Sequence, residues 1–147
     1  MTTSERDPAL AAFDVLVGTW ETEATHPRFD GVVAGAVTHE WLEGGRFLIQ
    51  RATNEVELFP DSIGVIGAPE EGGGLVLEYF DQRGVRRTYG AALAGGVLRF
   101  WRDHPGFDQR YAATLRPDRF DGLWQLATTP GAWEDDLRVT YRRRRDA

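Results

Sequence analysis

The sequence predicts an all-β protein, an antiparallel up-and-down barrel of about ten strands with a short N-terminal helix. Three observations carry that expectation. From Thr19 onward, apolar and polar residues alternate with the period of two that sends successive side chains to opposite faces of a strand. Turn formers interrupt the alternation at short intervals: Glu43-Gly44-Gly45, Gly72-Gly73-Gly74, Arg83-Gly84, Ala94-Gly95-Gly96, His104-Pro105-Gly106, Pro117-Asp118 and Pro130-Gly131. Connections this short leave no room for crossover helices, so neighbouring strands must run antiparallel. Finally, about ten strands in an open sheet would leave two unpaired edges, which closure removes.

The elements follow in order. Asp7-Pro8 reads as an N-cap with Pro at the first helical position, opening a helix over 7–16. Leu10, Phe13 and Leu16 or Val17 make its apolar face, and Gly18 ends it. Strands are expected at Thr19–His26, Ala36–Leu42, Arg46–Asn54, Ser62–Ala68 and Leu75–Asp81. Five more are expected at Val85–Leu93, Val97–Asp103, Phe107–Leu115, Arg119–Thr128 and Trp133–Arg142. Pro27–Gly35 reads as a long loop able to cover a barrel mouth. Asp81-x-Arg83-Gly84 reads as an Asp-initiated turn. The barrel thus occupies 19–142, and 143–147, with most of the run Arg142–Arg145, reads as a solvated tail. With no linker, low-complexity segment or internal repeat, 147 residues make one domain, 1–147.

Composition narrows the function classes. No apolar run approaches the roughly 20 residues that span a bilayer, so no membrane partner is expected. The opening MTTSERDPALAAF has no apolar signal core, which predicts a cytoplasmic location. The chain has no cysteine, which excludes disulfides, thiol nucleophiles and thiolate metal sites. All 17 basic residues are arginine, so no Schiff-base lysine exists. A net charge of -6 argues against nucleic acid, which requires a basic footprint. Homo-oligomerisation stays open.

The short helix, Gly18-x-Trp20, the meander of strands and a closing strand that ends in arginines resemble the calycin group: lipocalins, fatty-acid-binding proteins and nitrobindin-like heme proteins. The resemblance implies that the Trp20 indole plugs one barrel end and packs against Arg142 or Arg143 by cation–π contact. A narrower likeness lies in Glu40–Leu48, Tyr79–Val85 and Pro105–Arg110, which resemble a bacterial family of lipocalin-like barrels between about Leu16 and Arg142. That likeness implies a fold and is silent about function.

A barrel of this size either fills with side chains or keeps room for one small ligand. Alternation puts five sets of residues on inward faces: Val37, His39 and Trp41; Val85, Arg87, Tyr89 and Ala91; Phe107, Gln109, Tyr111 and Ala113; Phe120, Gly122, Trp124 and Leu126; and Trp133, Asp135, Leu137, Val139 and Tyr141. Trp41, Arg87, Gln109, Tyr111 and Trp124 are the candidate ligand contacts, an aromatic wall with a few polar groups. Arg87 suits a carboxylate or enolate, because a guanidinium fork meets it in two hydrogen bonds. His39, Tyr89 and Asp135 are the candidate acids and bases. The competing expectation is a filled core in which these groups satisfy one another.

The three histidines, His26, His39 and His104, show no zinc spacing, and no metal is expected. The nitrobindin-like resemblance implies heme held by a late histidine, but Ala132–Arg142 has none, which leaves His39 or His104 for that role. No nucleophile elbow, phosphate-cradling loop or dinucleotide fingerprint is present. The first reading is therefore binding of a small apolar or aromatic metabolite, acidic or neutral, inside the barrel, with no cofactor. An isomerase, cyclase or hydratase using His39 is the alternative, and a heme protein is the third.

Overall fold

The computed structural model describes residues 8–145, so the N-cap expected of Asp7 lies outside the described residues. The chain opens with α1 (Pro8–Ala11), which passes directly into a 3-10 turn, Ala12–Leu16. Leu10, Phe13 and Leu16 are buried there, as their spacing predicts. Ten strands follow: β1 (Gly18–His26), β2 (Phe29–Trp41), β3 (Phe47–Asn54), β4 (Ser62–Gly67), β5 (Val76–Asp81), β6 (Arg86–Ala94), β7 (Val97–Arg102), β8 (Asp108–Thr114), β9 (Arg119–Ala127) and β10 (Glu134–Arg143). They form one closed barrel in the order β1-β10-β9-β8-β7-β6-β5-β4-β3-β2, with every neighbouring pair antiparallel.

The structure corrects two expectations. Pro27–Gly35 is not a loop: the turn is only Pro27 and Arg28, and Phe29 already pairs with His26. Gly35, which reads as a loop residue, is there for close approach between strands. A Cβ at this position would collide with the Thr53 carbonyl, and at 2.6 Å with Asn54 Oδ1. The arginine run is not a free tail either. β10 continues through Arg143, Arg142 pairs with Glu23, Arg144 lies 3.5 Å from Glu21, and Arg145 lies 3.0 Å from Asp118.

One barrel end is sealed by Trp20, which is 1% exposed. Its Nε1–H donates to the Leu16 carbonyl at 2.8 Å, and its ring meets Phe120 edge-on at 5.0 Å. The Arg143 guanidinium sits 4.2 Å from the indole centroid and donates to the carbonyls of Val15, Val17 and Pro117. Arg143 is thus the arginine of the plug, and it also ties β10 to the N-terminal turn.

Midway along the barrel, Gly122 stands opposite Ala113, and a Cβ there would run into the Tyr111 ring. That ring cannot retreat, being packed on Phe100 at 5.4 Å and Trp124 at 5.0 Å. Gly122→Ala is therefore expected to destabilise the fold by about 1–3 kcal/mol through overpacking. A lowered urea midpoint with an unchanged slope checks this.

Candidate functional site

A cavity of about 490 Å³ occupies the barrel and opens at the end away from Trp20. The turn at Pro27–Arg28, the connection 55–61 and the β5–β6 turn surround its mouth. The two long walls differ in character. The β6–β9 side presents Tyr89, Phe100, Tyr111 and Trp124. Phe100 stacks on Tyr111 and, at 6.1 Å, on Trp124, while Tyr89 meets Trp124 edge-on at 5.3 Å. Below the mouth, where His26 and Phe29 stand, the β1–β4 side presents short side chains, chiefly Thr22, Ala24, Val37, Ala52 and Gly64, with Gln50 a longer polar group. An aromatic wall facing a low one makes a slot suited to a flat apolar group.

The polar groups sit along this slot and around its mouth. Tyr89 donates its hydroxyl hydrogen to Gln109 Oε1 at 3.1 Å. Burial pushes the Tyr89 phenol up, and the hydrogen bond and charge of Arg87 and the charge of Arg102 work against that rise. The Arg87 guanidinium lies 5.2 Å from the Phe107 centroid, and no carboxylate among the described residues pairs with it. Deeper in, burial raises Tyr111 well above the ordinary range, helped by the neighbouring Tyr141 hydroxyl, and burial raises Tyr141 too.

On the β5 rim, Tyr79 donates to Asp81 Oδ2 at 2.8 Å, and Arg83 Nη2 donates to the same oxygen at 2.6 Å. Burial alone would raise Asp81, but the hydrogen bonds from Arg83 and Tyr79 outweigh it and hold the carboxyl at about 2. Burial and the bond to Asp81 in turn push Tyr79 up. The Gly84 amide closes on the Asp81 carbonyl at 2.9 Å, the geometry of an Asp-initiated turn. Across the mouth, His26 Nε2 and Asp136 Oδ1 are 2.7 Å apart, and the Arg28 amide donates to His26 Nδ1 at 3.0 Å. Since Nδ1 accepts, the ring proton is on Nε2 and is donated to Asp136.

Five of the residues singled out from sequence, Arg87, Tyr89, Gln109, Tyr111 and Trp124, border this one cavity. The other three do not. Asp135 is exposed on the outer wall, where it accepts from Gln125 Nε2 at 2.9 Å. Its inward parity fails because β10 bulges: Asp135 faces Gln125 and Arg138 faces Leu123, so Asp136 and Leu137 together stand against Trp124 alone. The alternation slips by one, and Asp136 takes the inward place. Trp41 lies beneath the N-terminal turn, its Nε1–H donating to Asp14 Oδ1 at 2.8 Å.

His39 has the expected inward parity but stands at the sealed end, outside the cavity lining. Its Nδ1 is buried without a hydrogen-bond partner among the described residues. Burial, and then the Arg143 charge, bring its pKa down to about 4. His104 is exposed in its turn, and its backbone amide donates to Asp108 Oδ1 at 2.7 Å.

Sequence reading passed over His26, Asp136, Tyr79, Phe100 and Gln50, which also line the cavity. His26 carried a usable signal, since it continues the inward series Trp20, Thr22, Ala24. Asp136 carried none, because bulges leave no mark in composition.

The residues do not fit a heme. Neither His39 nor His104 borders the cavity, and His26, which does, has both ring nitrogens hydrogen-bonded. A heme iron would therefore meet no free imidazole there among the described residues. Nor do three or more His, Asp or Glu side chains among the described residues gather to hold a metal ion.

No family model and no curated relative matches the sequence. Solved structures do. Rv2717c from M. tuberculosis is similar at a TM-score of 0.68, covering 96% of this chain and 100% of that chain at 15% identity. The S-type phycobiliprotein lyase CPES from Guillardia theta is similar at a TM-score of 0.57, covering 93% of each chain at 10% identity. What the chain shares with them is the fold, a closed antiparallel barrel. Among the described residues, no helix of this barrel protein is long and apolar enough to cross a membrane.

Proposed function

We propose that this barrel binds a small, flat, apolar or aromatic metabolite bearing an acid group. The observation that carries the reading is the cavity itself: about 490 Å³, walled on one side by Tyr89, Phe100, Tyr111 and Trp124, with the Arg87 guanidinium at its mouth, which no carboxylate among the described residues pairs. Its volume falls within the roughly 300–1,000 Å³ typical of small-molecule sites. A guanidinium without such a carboxylate, beside an apolar slot, favours the anionic end of a ligand there. Likeness in fold to a phycobiliprotein lyase supports a working barrel over a purely structural one. The alternative of an isomerase, cyclase or hydratase rests on His39, Tyr89 and Asp135, of which only Tyr89 borders the cavity, so no observation favours it.

Titrating tryptophan fluorescence with aromatic carboxylates, fatty acids and hemin tests the reading, because Trp124 forms part of the wall. Aromatic acids should quench saturably. Arg87→Ala should weaken them about tenfold, the loss of one charge-assisted contact, and leave neutral aromatics unchanged. Hemin should give no Soret band after gel filtration. If no acid binds, the proposed function is overturned.

A further inference from the structure

We infer that the ligand is bipolar, a flat conjugated acid carrying an O–H or N–H donor at the end opposite its acid group. This rests on the binding reading above and adds the second pole. β6 is the fifth strand round from β1 in either direction, so the two face each other across the barrel. Arg87 on β6 and Asp136 on β10, the strand beside β1, bring opposite charges to the mouth.

The β6 side is positive. The β6–β7 ladder ends at Gly90 opposite Trp101, so Arg87 to Tyr89 and Arg102 to His104 part company toward the mouth. Arg87 borders both the inner cavity and the cleft outside this split, and Arg86 and Arg102, against the single carboxylate of Asp103, line the cleft. Neither the Arg87 nor the Arg102 guanidinium has a carboxylate partner among the described residues. Arg87 is stacked on Phe107, and Arg102 Nη1 reaches only the Phe107 carbonyl at 3.5 Å.

The β1–β10 side is an acceptor. The β10 bulge turns Asp136 inward, where His26 satisfies Oδ1. The imidazole meets Asp136 through Nε2 alone, because its Nδ1 faces the Arg28 amide. No hydrogen bond from the described residues reaches Asp136 Oδ2, although the side chain is only 25% exposed and borders the cavity. The other charged group on this side, Arg28, is exposed on its turn and makes no ion pair among the described residues.

A partly buried carboxylate at the mouth of an acid-binding cavity repels the ligand's acid group in one orientation. In the reverse orientation it accepts a hydrogen bond from the ligand's far end. Attraction at one pole and repulsion at the other would fix which way round the molecule lies.

Calorimetric titration of the full chain with 2-naphthoic acid, 6-hydroxy-2-naphthoic acid and 2-naphthol separates the poles. The hydroxy acid should bind about tenfold tighter than 2-naphthoic acid, the worth of one hydrogen bond to a charged acceptor. Asp136→Ala should erase that advantage. Asp136→Asn, which keeps an oxygen for His26 but loses the charge, should reduce it. Arg87→Met should weaken both acids and leave 2-naphthol unaffected. Equal binding of the two acids by the native protein, or an advantage that survives Asp136→Ala, overturns the bipolar ligand and leaves acid binding standing. If none of the three binds, the binding reading fails and the second pole with it.

Discussion

Trp20→Ala is expected to lower the stability of the barrel by about 3–5 kcal/mol, the range found for large aromatic truncations in cores. The indole is 1% exposed, so its removal leaves a cavity in a closed core. Its removal strips Phe120 of an edge contact at 5.0 Å and Arg143 of the ring that covers its guanidinium at 4.2 Å. The Leu16 carbonyl also loses its 2.8 Å donor. Because Arg143 holds three backbone carbonyls on either side of the plug, loosening it frees the N-terminal turn as well. The melting temperature should fall by something on the order of 10 °C. A folded variant that melts with the native protein would show that Trp20 seals nothing.

The second large effect is on pH. Stability should fall as the solution is acidified from about pH 6.5 to about pH 4, and His39 should be the cause. In the unfolded chain this imidazole titrates near 6.5, whereas in the fold burial and Arg143 hold it at about 4. Between those values unfolding takes up a proton, so acid favours the unfolded state, and the loss reaches about 3 kcal/mol at the lower limit. Above pH 6.5 the group is neutral in both states and contributes no slope. Asp81 acts in a separate window: its carboxyl is held at about 2 against an ordinary 3.8, so its contribution is lost only below about pH 4. Urea midpoints at pH 7, 5.5 and 4 should therefore drop steeply in the native protein and less so in His39→Leu. The variant should lose little at pH 7, because Nδ1 has no partner among the described residues to forfeit. Identical pH slopes for the two proteins would remove His39 as the source.

Both effects belong to the sealed end, and neither touches the cavity, which makes them useful controls. A variant at Arg87 that alters ligand affinity should leave the pH slope and the Trp20 plug unchanged, since this residue stands at the opposite mouth.

The barrel is legible in the order of residues. Strand ends stand within one residue of where alternation and turn formers put them, except that β2 begins at Phe29 and not at Ala36. The reason is local: pleating sends neighbours to opposite faces and glycine-rich dipeptides reverse the chain, and both are properties of a few consecutive residues. The same locality puts Arg87, Tyr89, Gln109, Tyr111 and Trp124 on one interior, because β6, β8 and β9 keep their alternation across those positions. Tertiary structure alone decided depth and register. His39 and Val37 share a face, but only strand pairing puts one at the sealed end and the other in the cavity. Asp135 and Asp136 are adjacent and alike, and the bulge against Trp124 turns one outward and the other to His26. Height along a barrel and slippage of a ladder are set by which distant strand lies alongside, and no short stretch of chain encodes its partner.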